Sequence, residues 1–134
     1  SQIASYPDLR RGMVRKQRLI GRQHPRLVTE GRDQGSVVFP DAEAKFFLTA
    51  TVQQRATRRF EELKQRSAEV TLGSVEEEVR ERDRRDSNRP VAPLVQAPDA
   101  ELVDSTALTV DQVVERIVVR VRDIEAKMRA GRSE

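Results

Sequence analysis

The chain has 134 residues, of which 35% are charged and only 4% aromatic, so aliphatic side chains must supply most of any core. It contains no cysteine, which excludes a disulfide framework and a thiolate metal site and fits a reducing compartment. The sequence has no apolar run long enough to span a membrane, so we expect no membrane partner.

The basic charge of the chain comes almost entirely from arginine. The formal net charge is only +3 although the pI is about 9.8, and lysine occurs at just four positions: Lys16, Lys45, Lys64 and Lys127. Arginine presents a planar fork that can hold a phosphate at two points, whereas lysine acts as a point charge. An arginine-rich, nearly charge-balanced chain therefore fits phosphate contacts inside a cleft better than a broad surface for nucleic acid.

The first third of the chain predicts a helix, a short strand and a loop. Tyr6-Pro7-Asp8 is typical of a helix start, and the helix is predicted to run to about Gln23. Residues 26–29 are a strand candidate. The following segment, residues 30–35, has two glycines around a charged centre and predicts a loop at the strand end.

The middle of the chain predicts one strand and two charged helices. Residues 44–50 are centred on three consecutive large apolar side chains and predict a buried strand. Thr51 and Gln54 form a capping-box pattern that predicts a helix over residues 51–66. A second pattern of this kind, beginning at Ser74, predicts a helix that ends near residue 88.

The last third predicts an extended connection, a strand and a long helix. Pro90, Pro93 and Pro98 favour the extended connection, and the following apolar residues predict a strand that ends at Asp104. A capping box at Thr109 predicts the start of the helix. Its apolar residues recur every three or four positions: Val110, Val113, Val114, Ile117, Val118, Val121 and Ile124.

Strands that alternate with helices predict an α/β fold with a parallel sheet. In such folds ligands bind beyond the C-terminal ends of the strands. Those ends carry residues 31–33, Thr51 and residues 104–106. The side chains at these three places are therefore the first candidates for a binding site.

The loop after the first strand candidate combines two residue types that suit a nucleotide. Arg32 can hold a phosphate, and the Asp33 carboxylate can accept hydrogen bonds from an amine. Gly31 allows the backbone to approach a ligand closely. The alternative is a surface turn that contains an Arg-Asp pair.

Two helical segments carry further clustered arginines. Between residues 81 and 89, a first group lies at helical spacings of three, four and seven and so shares one face: Arg82, Arg85 or Asp86, and Arg89. In the preceding helix, Arg55 and Arg59 lie one turn apart. For each segment alone, a solvated and self-paired helix face is the alternative.

Taken together, these segments resemble bacterial cytidylate kinases. The resemblance rests on G-R-D-Q-G-S-V-V-F-P-D-A from Gly31, E-R-D-R-R-D-S-N-R-P-V-A-P-L from Glu81, and V-D-S-T-A-L-T-V-D-Q-V-V-E-R-I from Val103. It implies the fold of a P-loop nucleoside monophosphate kinase: a parallel sheet flanked by helices, with a helical lid. It also implies a cytoplasmic (d)CMP kinase that transfers the γ-phosphoryl group of ATP to CMP or dCMP, with ATP and Mg²⁺ as cofactors.

The resemblance assigns roles to individual residues. Contacts to the cytosine ring are implied for Ser1, Arg10, Asp33 and Arg89, contacts to the ribose for Arg82 and Asp86, and a phosphate contact for Arg32. Contacts to the ATP phosphates, and hence a catalytic role, are implied for Arg55, Arg59 and Arg85. Glu30, Gln34 and Pro90 depart from the residues usual in the family.

The resemblance also divides the chain into three parts. Residues 1–50 correspond to the C-terminal part of the core, with the nucleoside-binding helix and the strand-end loop. Residues 51–89 correspond to the helical lid, and residues 90–134 to the last core strand and the C-terminal helix. We expect the full enzyme to be monomeric, and this chain to associate through an unpaired sheet edge.

The phosphate loop of the family is missing from this sequence. The motif G-x-x-x-x-G-K-[ST] occurs nowhere in the 134 residues, so the loop and most Mg²⁺ ligands are expected in a part that precedes Ser1. We therefore expect a C-terminal fragment that is inactive alone.

Two other functions stay open at this point. One is an arginine-rich helical module that binds nucleic acid, although interleaved acidic residues and few aromatic residues argue against it. The other is an inactive partner domain of a kinase that lacks the loop by evolution.

Overall fold

The computed structural model describes residues 6–24, 26–66, 69–88 and 93–131. Seven elements follow one another along the chain: α1 (Pro7–Gln23), a π-helical turn (Gln34–Val38), β1 (Phe46–Thr49), α2 (Val52–Gln65), α3 (Leu72–Ser87), β2 (Glu101–Asp104) and α4 (Val110–Ala130). The predicted helix start at Pro7 and the predicted end at Gln23 are both confirmed.

The chain forms two compact units. The first comprises Ser1–Ala42 and Glu81–Pro98, and the second comprises Glu43–Arg80 and Asp99–Glu134. The helix α3 therefore begins in the second unit and ends in the first. The three-part division by function stays a prediction.

In the first unit, α1 packs against the π-helical turn and the residue that follows it. Val38 in the turn and Ala97 near the end of the unit are buried. A Cβ atom placed on Gly21 would lie 2.6 Å from the Phe39 ring, so only glycine allows the helix to approach this closely. Val28 is almost fully exposed, and residues 26–29 form no strand. That prediction is wrong because, within the described ranges, no strand lies beside this segment to pair with it.

The second unit contains a parallel sheet, as predicted. β1 and β2 pair in register from Phe46 opposite Glu101 to Thr49 opposite Asp104, and they are the two strands in the described part of the chain. The core beside them is made of small and β-branched side chains: Ala50, Ala56, Val75 and Val103. β1 is shorter than the predicted span of residues 44–50, and Leu48 on it is exposed, so the prediction of a buried strand is only partly right.

Side-chain hydroxyl groups cap the helices of the second unit. Thr51 accepts a hydrogen bond from Gln54 N at 3.3 Å at the start of α2, and Thr109 forms a complete capping box with Gln112 at the start of α4. α3 begins two residues earlier than predicted. Its first turn is closed by Ser74 N, which donates to Thr71 Oγ1 at 3.2 Å, so Thr71 takes the capping role predicted for Ser74.

The apolar face predicted for α4 is covered on one side only. Val113, Ile117, Val121 and Ile124 are half-buried, whereas Val110, Val114 and Val118 are exposed. Within the described residues, no helix combines the length and the apolar character needed to cross a membrane.

Two glycines of α1 provide a matched test of this packing. A Cβ on Gly12 would meet no atom within 4 Å, whereas a Cβ on Gly21 would collide with Phe39. We expect Gly12→Ala to raise the free energy of unfolding by about 0.5–1 kcal/mol through helix propensity. We expect Gly21→Ala to lower it by about 1–3 kcal/mol through overpacking. Urea denaturation measures both, and equal stabilisation by the two variants would contradict the contact.

Candidate functional site

In the first unit, two neighbouring residues of the loop that precedes the π-helical turn are anchored to two different helices. Asp33 forms an ion pair with Arg10 on α1, and the two side chains are only 11% and 12% exposed. Next to it, Arg32 Nε donates to Asp86 Oδ2 on α3 at 2.8 Å. The resemblance assigned all four residues to substrate binding, and the structure brings them together as two ion pairs.

Both carboxylates are withdrawn from solvent. Asp33 and Asp86 expose 8% and 4% of their surface, and an ionised carboxylate in such a place needs charged or hydrogen-bonding partners. Arg82 approaches Asp86 from one helical turn earlier, at 4.0 Å, and is largely exposed. The backbone carbonyl of Asp86 also accepts a hydrogen bond from Leu94 N at 2.9 Å, which fixes the end of α3.

The site retains unused hydrogen-bonding capacity. Among the described residues, Arg10 Nε and Ser36 Oγ are buried without a hydrogen-bond partner. Unpartnered buried polar atoms are rare in folded proteins. One of these two belongs to the arginine paired with Asp33, and the other lies in the π-helical turn.

A groove runs along the exposed side of α1 in the same unit. It has a volume of about 700 Å³ and is lined by Pro7, Arg10, Arg11, Val14, Arg15, Arg18, Leu19, Arg22 and Val37. Five of these side chains are arginines, and the rest are mainly apolar. An anion that carries an apolar or aromatic body suits this combination of surfaces.

The remaining predicted residues of α3 and its flank are placed differently. Arg85 is exposed, and its Nε donates to the backbone carbonyl of Glu81 at 3.4 Å. Ser1 and Arg89, both predicted to contact the base, lie outside the described residues.

Arg55 and Arg59 belong to the second unit and lie on α2. Arg55 Nε donates to the Ala50 carbonyl at 2.9 Å, which ties this side chain to the end of β1. Arg59 pairs with Glu62 at 2.7 Å, and this hydrogen bond lowers the pKa of the Glu62 carboxyl below its ordinary value. Both guanidinium groups are thus engaged within their own unit.

Arg58 is the residue of this region that sequence reasoning missed. It donates to Ser105 Oγ at 3.1 Å, to the Ser105 carbonyl at 2.6 Å and to the Leu108 carbonyl at 3.2 Å. These bonds fasten α2 to the loop that follows β2. Neither the spacing on α2 nor the charge pattern separates Arg58 from Arg59, so nothing in the sequence signalled its role.

The C-terminal ends of the two strands are joined by hydroxyl groups. Ser105 Oγ donates to the Thr49 carbonyl at 3.0 Å, and Thr51 N donates to Thr106 Oγ1 at 3.0 Å. The Thr106 hydroxyl donates in turn to Asp104 Oδ1 at 2.6 Å, and its backbone N–H adds a second bond at 2.9 Å. These two bonds lower the pKa of the Asp104 carboxyl.

We assign no metal site within the residues that the structure describes. Across residues 6–24, 26–66, 69–88 and 93–131, no group of three or more histidine, cysteine, aspartate or glutamate side chains could hold a metal ion. The buried Asp33 and Asp86 carboxylates of the first unit are instead paired with arginine, which does not suit Mg²⁺.

The hydrogen bonds from Thr106 to Asp104 predict that the stability of the fold depends on pH. Because its pKa is lowered in the folded chain, Asp104 contributes stability above its unfolded pKa of about 3.8, and this contribution is lost as the pH falls through the folded pKa. Thr106→Val removes the hydroxyl donor, so the pKa of Asp104 should rise toward its ordinary value in a carboxyl NMR titration. Thr57→Val on α2, which removes a hydroxyl bonded to Gln53 O, is the control and should leave Asp104 unchanged. The same pKa in Thr106→Val and the parent would refute the assignment.

Comparison with known proteins identifies the family of this chain. The family model for cytidylate kinase matches residues 1–123. The chain is 49% identical over 117 residues to a cytidylate kinase of Marinomonas sp. (strain MWYL1), which covers 87% of this chain and 51% of the relative. It is 50% identical over 118 residues to a cytidylate kinase of Pseudomonas aeruginosa (strain UCBPP-PA14), which covers 88% of this chain and 51% of the relative.

A third relative, a cytidylate kinase of Pectobacterium carotovorum, is 46% identical over 126 residues, which is 94% of this chain and 56% of the relative. The chain thus spans about half the length of the curated relatives it matches, and the match falls on their C-terminal part. The parallel strand pair with its flanking helices is in keeping with part of the α/β fold of P-loop nucleoside monophosphate kinases. The chain belongs to the cytidylate kinase family.

Proposed function

We propose that this chain supplies the acceptor-nucleotide site of a (d)CMP kinase, which transfers the γ-phosphoryl group of ATP to CMP or dCMP and yields CDP or dCDP. The observation that carries the proposal is that two adjacent residues are held by two helices: Arg32 pairs with the buried Asp86 carboxylate on α3, and Asp33 pairs with the Arg10 guanidinium on α1. Such a loop offers a nucleotide one cation and one acceptor in fixed positions. Relatives that are 49–50% identical to this chain over about half of their own length are cytidylate kinases, which supports the same chemistry.

Asp33 and Arg10 are proposed to read the base. A carboxylate accepts hydrogen bonds only, so it suits the exocyclic amine of cytosine and meets a second acceptor in uracil. Arg10 retains a buried Nε–H without a partner among the described residues, and this donor suits a carbonyl or ring nitrogen of the base. Ser1 and Arg89 are assigned to the same ring by the resemblance alone.

Arg32, Arg82 and Asp86 are proposed to hold the ribose and the phosphate. A carboxylate has about four acceptor lone pairs, so Asp86 can accept hydrogen bonds from ribose hydroxyl groups as well as from arginine. Arg32 uses Nε for Asp86, and a guanidinium has further N–H donors for an acceptor phosphate. Its pairing with a buried carboxylate orients these donors in advance, which reduces the entropy lost on binding.

Arg55, Arg59 and Arg85 are proposed to contact the phosphates of ATP, in the predicted lid of residues 51–89. Phosphoryl transfer depends on positioning and on neutralising the charge of the transferred group, and arginines supply such charge in many kinases. Arg59 would exchange its exposed partner Glu62 for a phosphate, and an exposed ion pair costs little to break. Mg²⁺, when bound, would add Lewis-acid neutralisation of the same phosphates.

Many arginines of this chain pair with nearby carboxylates, which argues against a nucleic-acid surface. Pairs of this kind include Arg80 with Glu76, Arg84 with Glu81, and Arg120 with Glu101. A binder of nucleic acid needs uncompensated cations that track the phosphates. A monomeric, cytoplasmic whole enzyme remains part of the proposal.

The proposal is tested by supplying the phosphate loop. We expect the 134-residue chain alone to show no CMP phosphorylation in a coupled ATP assay, because it lacks the loop motif. Fusion to the N-terminal half of the Pseudomonas aeruginosa relative should give CMP kinase activity. The N-terminal half alone is the control. Turnover by the isolated chain at normal kinase rates, or a folded but inactive fusion, would contradict the proposal.

Two arginines one turn apart on α3 should separate binding from catalysis in the fused kinase. Arg85→Ala should lower kcat about 10- to 100-fold with little change in CMP affinity, because one charge-assisted contact to ATP phosphate is worth about 1.5–3 kcal/mol. Arg82→Ala, the matched change, should instead weaken CMP binding. Steady-state kinetics with direct CMP titration measures both. Parent-like values for the two variants would show that this helix face is only solvated surface.

A further inference from the structure

Arg18 on α1 lines the groove and bonds the backbone of the π-helical turn. Its Nε donates to the Val38 carbonyl at 2.9 Å, and a terminal nitrogen donates to the Val37 carbonyl at 2.6 Å. The planar fork thereby holds two successive carbonyl groups from outside the turn. The family resemblance gave this residue no role.

The π-helical turn is built directly on Asp33. The backbone N–H groups of Val37 and Val38 both donate to the Asp33 carbonyl, at 2.9 and 3.1 Å. Asp33 is also the residue that precedes the first residue of the turn. Any rotation of the turn therefore moves the backbone from which the Asp33 carboxylate projects.

α1 contacts residues 33–39 at three positions along the helix. Along the helix, Arg10 pairs with the Asp33 side chain, Arg18 holds the carbonyls at the far end of the turn, and Gly21 admits the Phe39 ring. These helix positions fall within an arc of about 80°, so they form one stripe of α1. A short π-helical segment is rare and weak by itself, which makes an external hold effective.

We propose that Arg18 is a positioning residue for base selection: it fixes the π-helical turn, and through the turn the direction of the Asp33 carboxylate. This inference rests on the proposed function, in which Asp33 distinguishes cytosine from uracil. A carboxylate that accepts a hydrogen bond from the cytosine amine discriminates against the uracil carbonyl only while the carboxylate is held in place. Arg18 acts through Asp33 and is not assigned a contact to the nucleotide.

Arg15 supplies a matched control on the same helix. It lines the same groove and carries the same charge, but its side chain forms no hydrogen bond or ion pair with any residue that the structure describes. Arg15→Gln and Arg18→Gln thus remove equal charge from the groove, and only the second releases the turn. Arg18→Lys keeps the charge but loses the fork that spans two carbonyls.

The first measurement uses the 134-residue chain and needs no activity. In amide hydrogen exchange, Arg18→Gln should speed the exchange of the Val37 and Val38 amides about 10-fold, because the turn that places them against the Asp33 carbonyl loses its bonds to Arg18. Arg15→Gln should leave both rates unchanged. Unchanged exchange in Arg18→Gln, or equal acceleration in the two variants, would overturn the proposal.

The second measurement compares CMP with UMP in the fused kinase. Arg18→Gln should shrink the ratio of the two kcat/KM values about tenfold, Arg18→Lys should shrink it less, and Arg15→Gln should preserve it. A variant that only destabilised the fold would lower kcat/KM for both substrates by the same factor, so their ratio would not change. A preserved ratio in Arg18→Gln, with the amides accelerated, would show that Arg18 stabilises the turn and does not serve selection.

A double-mutant cycle tests whether Arg18 acts through Asp33. If it does, Asp33→Ala abolishes most of the preference for CMP, and adding Arg18→Gln changes the ratio no further. Additive losses would overturn the indirect role. An inactive fusion would contradict the proposed function, while the exchange measurement on the chain would still decide whether Arg18 holds the turn.

Discussion

The burial of Asp33 and Asp86 is the constraint on which the first unit of this chain depends. Each carboxylate is almost inaccessible to water, and removing the arginine partner of such a charge typically costs several kcal/mol. Because Arg32 and Asp33 are consecutive, the loop must satisfy one pair on α1 and one on α3 at the same time. The loop between these helices consequently has little freedom, and its two charged side chains are set before any ligand arrives.

The same constraint gives the loop its proposed chemistry. In the proposal, Arg32 faces the phosphate and Asp33 faces the base. Pre-paired side chains bind with less loss of conformational entropy than free ones, and Arg32 has further N–H donors beside the one that bonds Asp86. In the second unit, by contrast, hydroxyl groups of Ser105 and Thr106 join the strand ends, and Arg58 fastens α2 to the loop after β2. Ion pairs thus fix the candidate residues of the first unit, and hydrogen bonds fix those of the second.

Helices and the parallel strand pair could be predicted because periodic apolar positions and capping residues are local signals, as at Pro7 and Thr109. The π-helical turn could not be predicted, since its contacts with Arg18 come from a helix that is distant in the sequence. The prediction of a strand at residues 26–29 was wrong because a strand needs a neighbouring strand, and the local sequence does not reveal whether one is present. Family resemblance pointed to the charged candidate residues, but Arg18 and Arg58, which bond backbone carbonyls, carry no sequence signal.

The central claim is that CMP binds between the two ion-paired segments of the first unit. Its most direct test is a titration of CMP into the ¹⁵N-labelled chain fused to the N-terminal half of the Pseudomonas aeruginosa relative. The account predicts the largest amide shifts at residues 31–38 and 82–88, with weaker shifts for UMP and loss of the response in Asp33→Ala. Saturating CMP that leaves both segments unshifted, or that perturbs them equally with UMP, would contradict it.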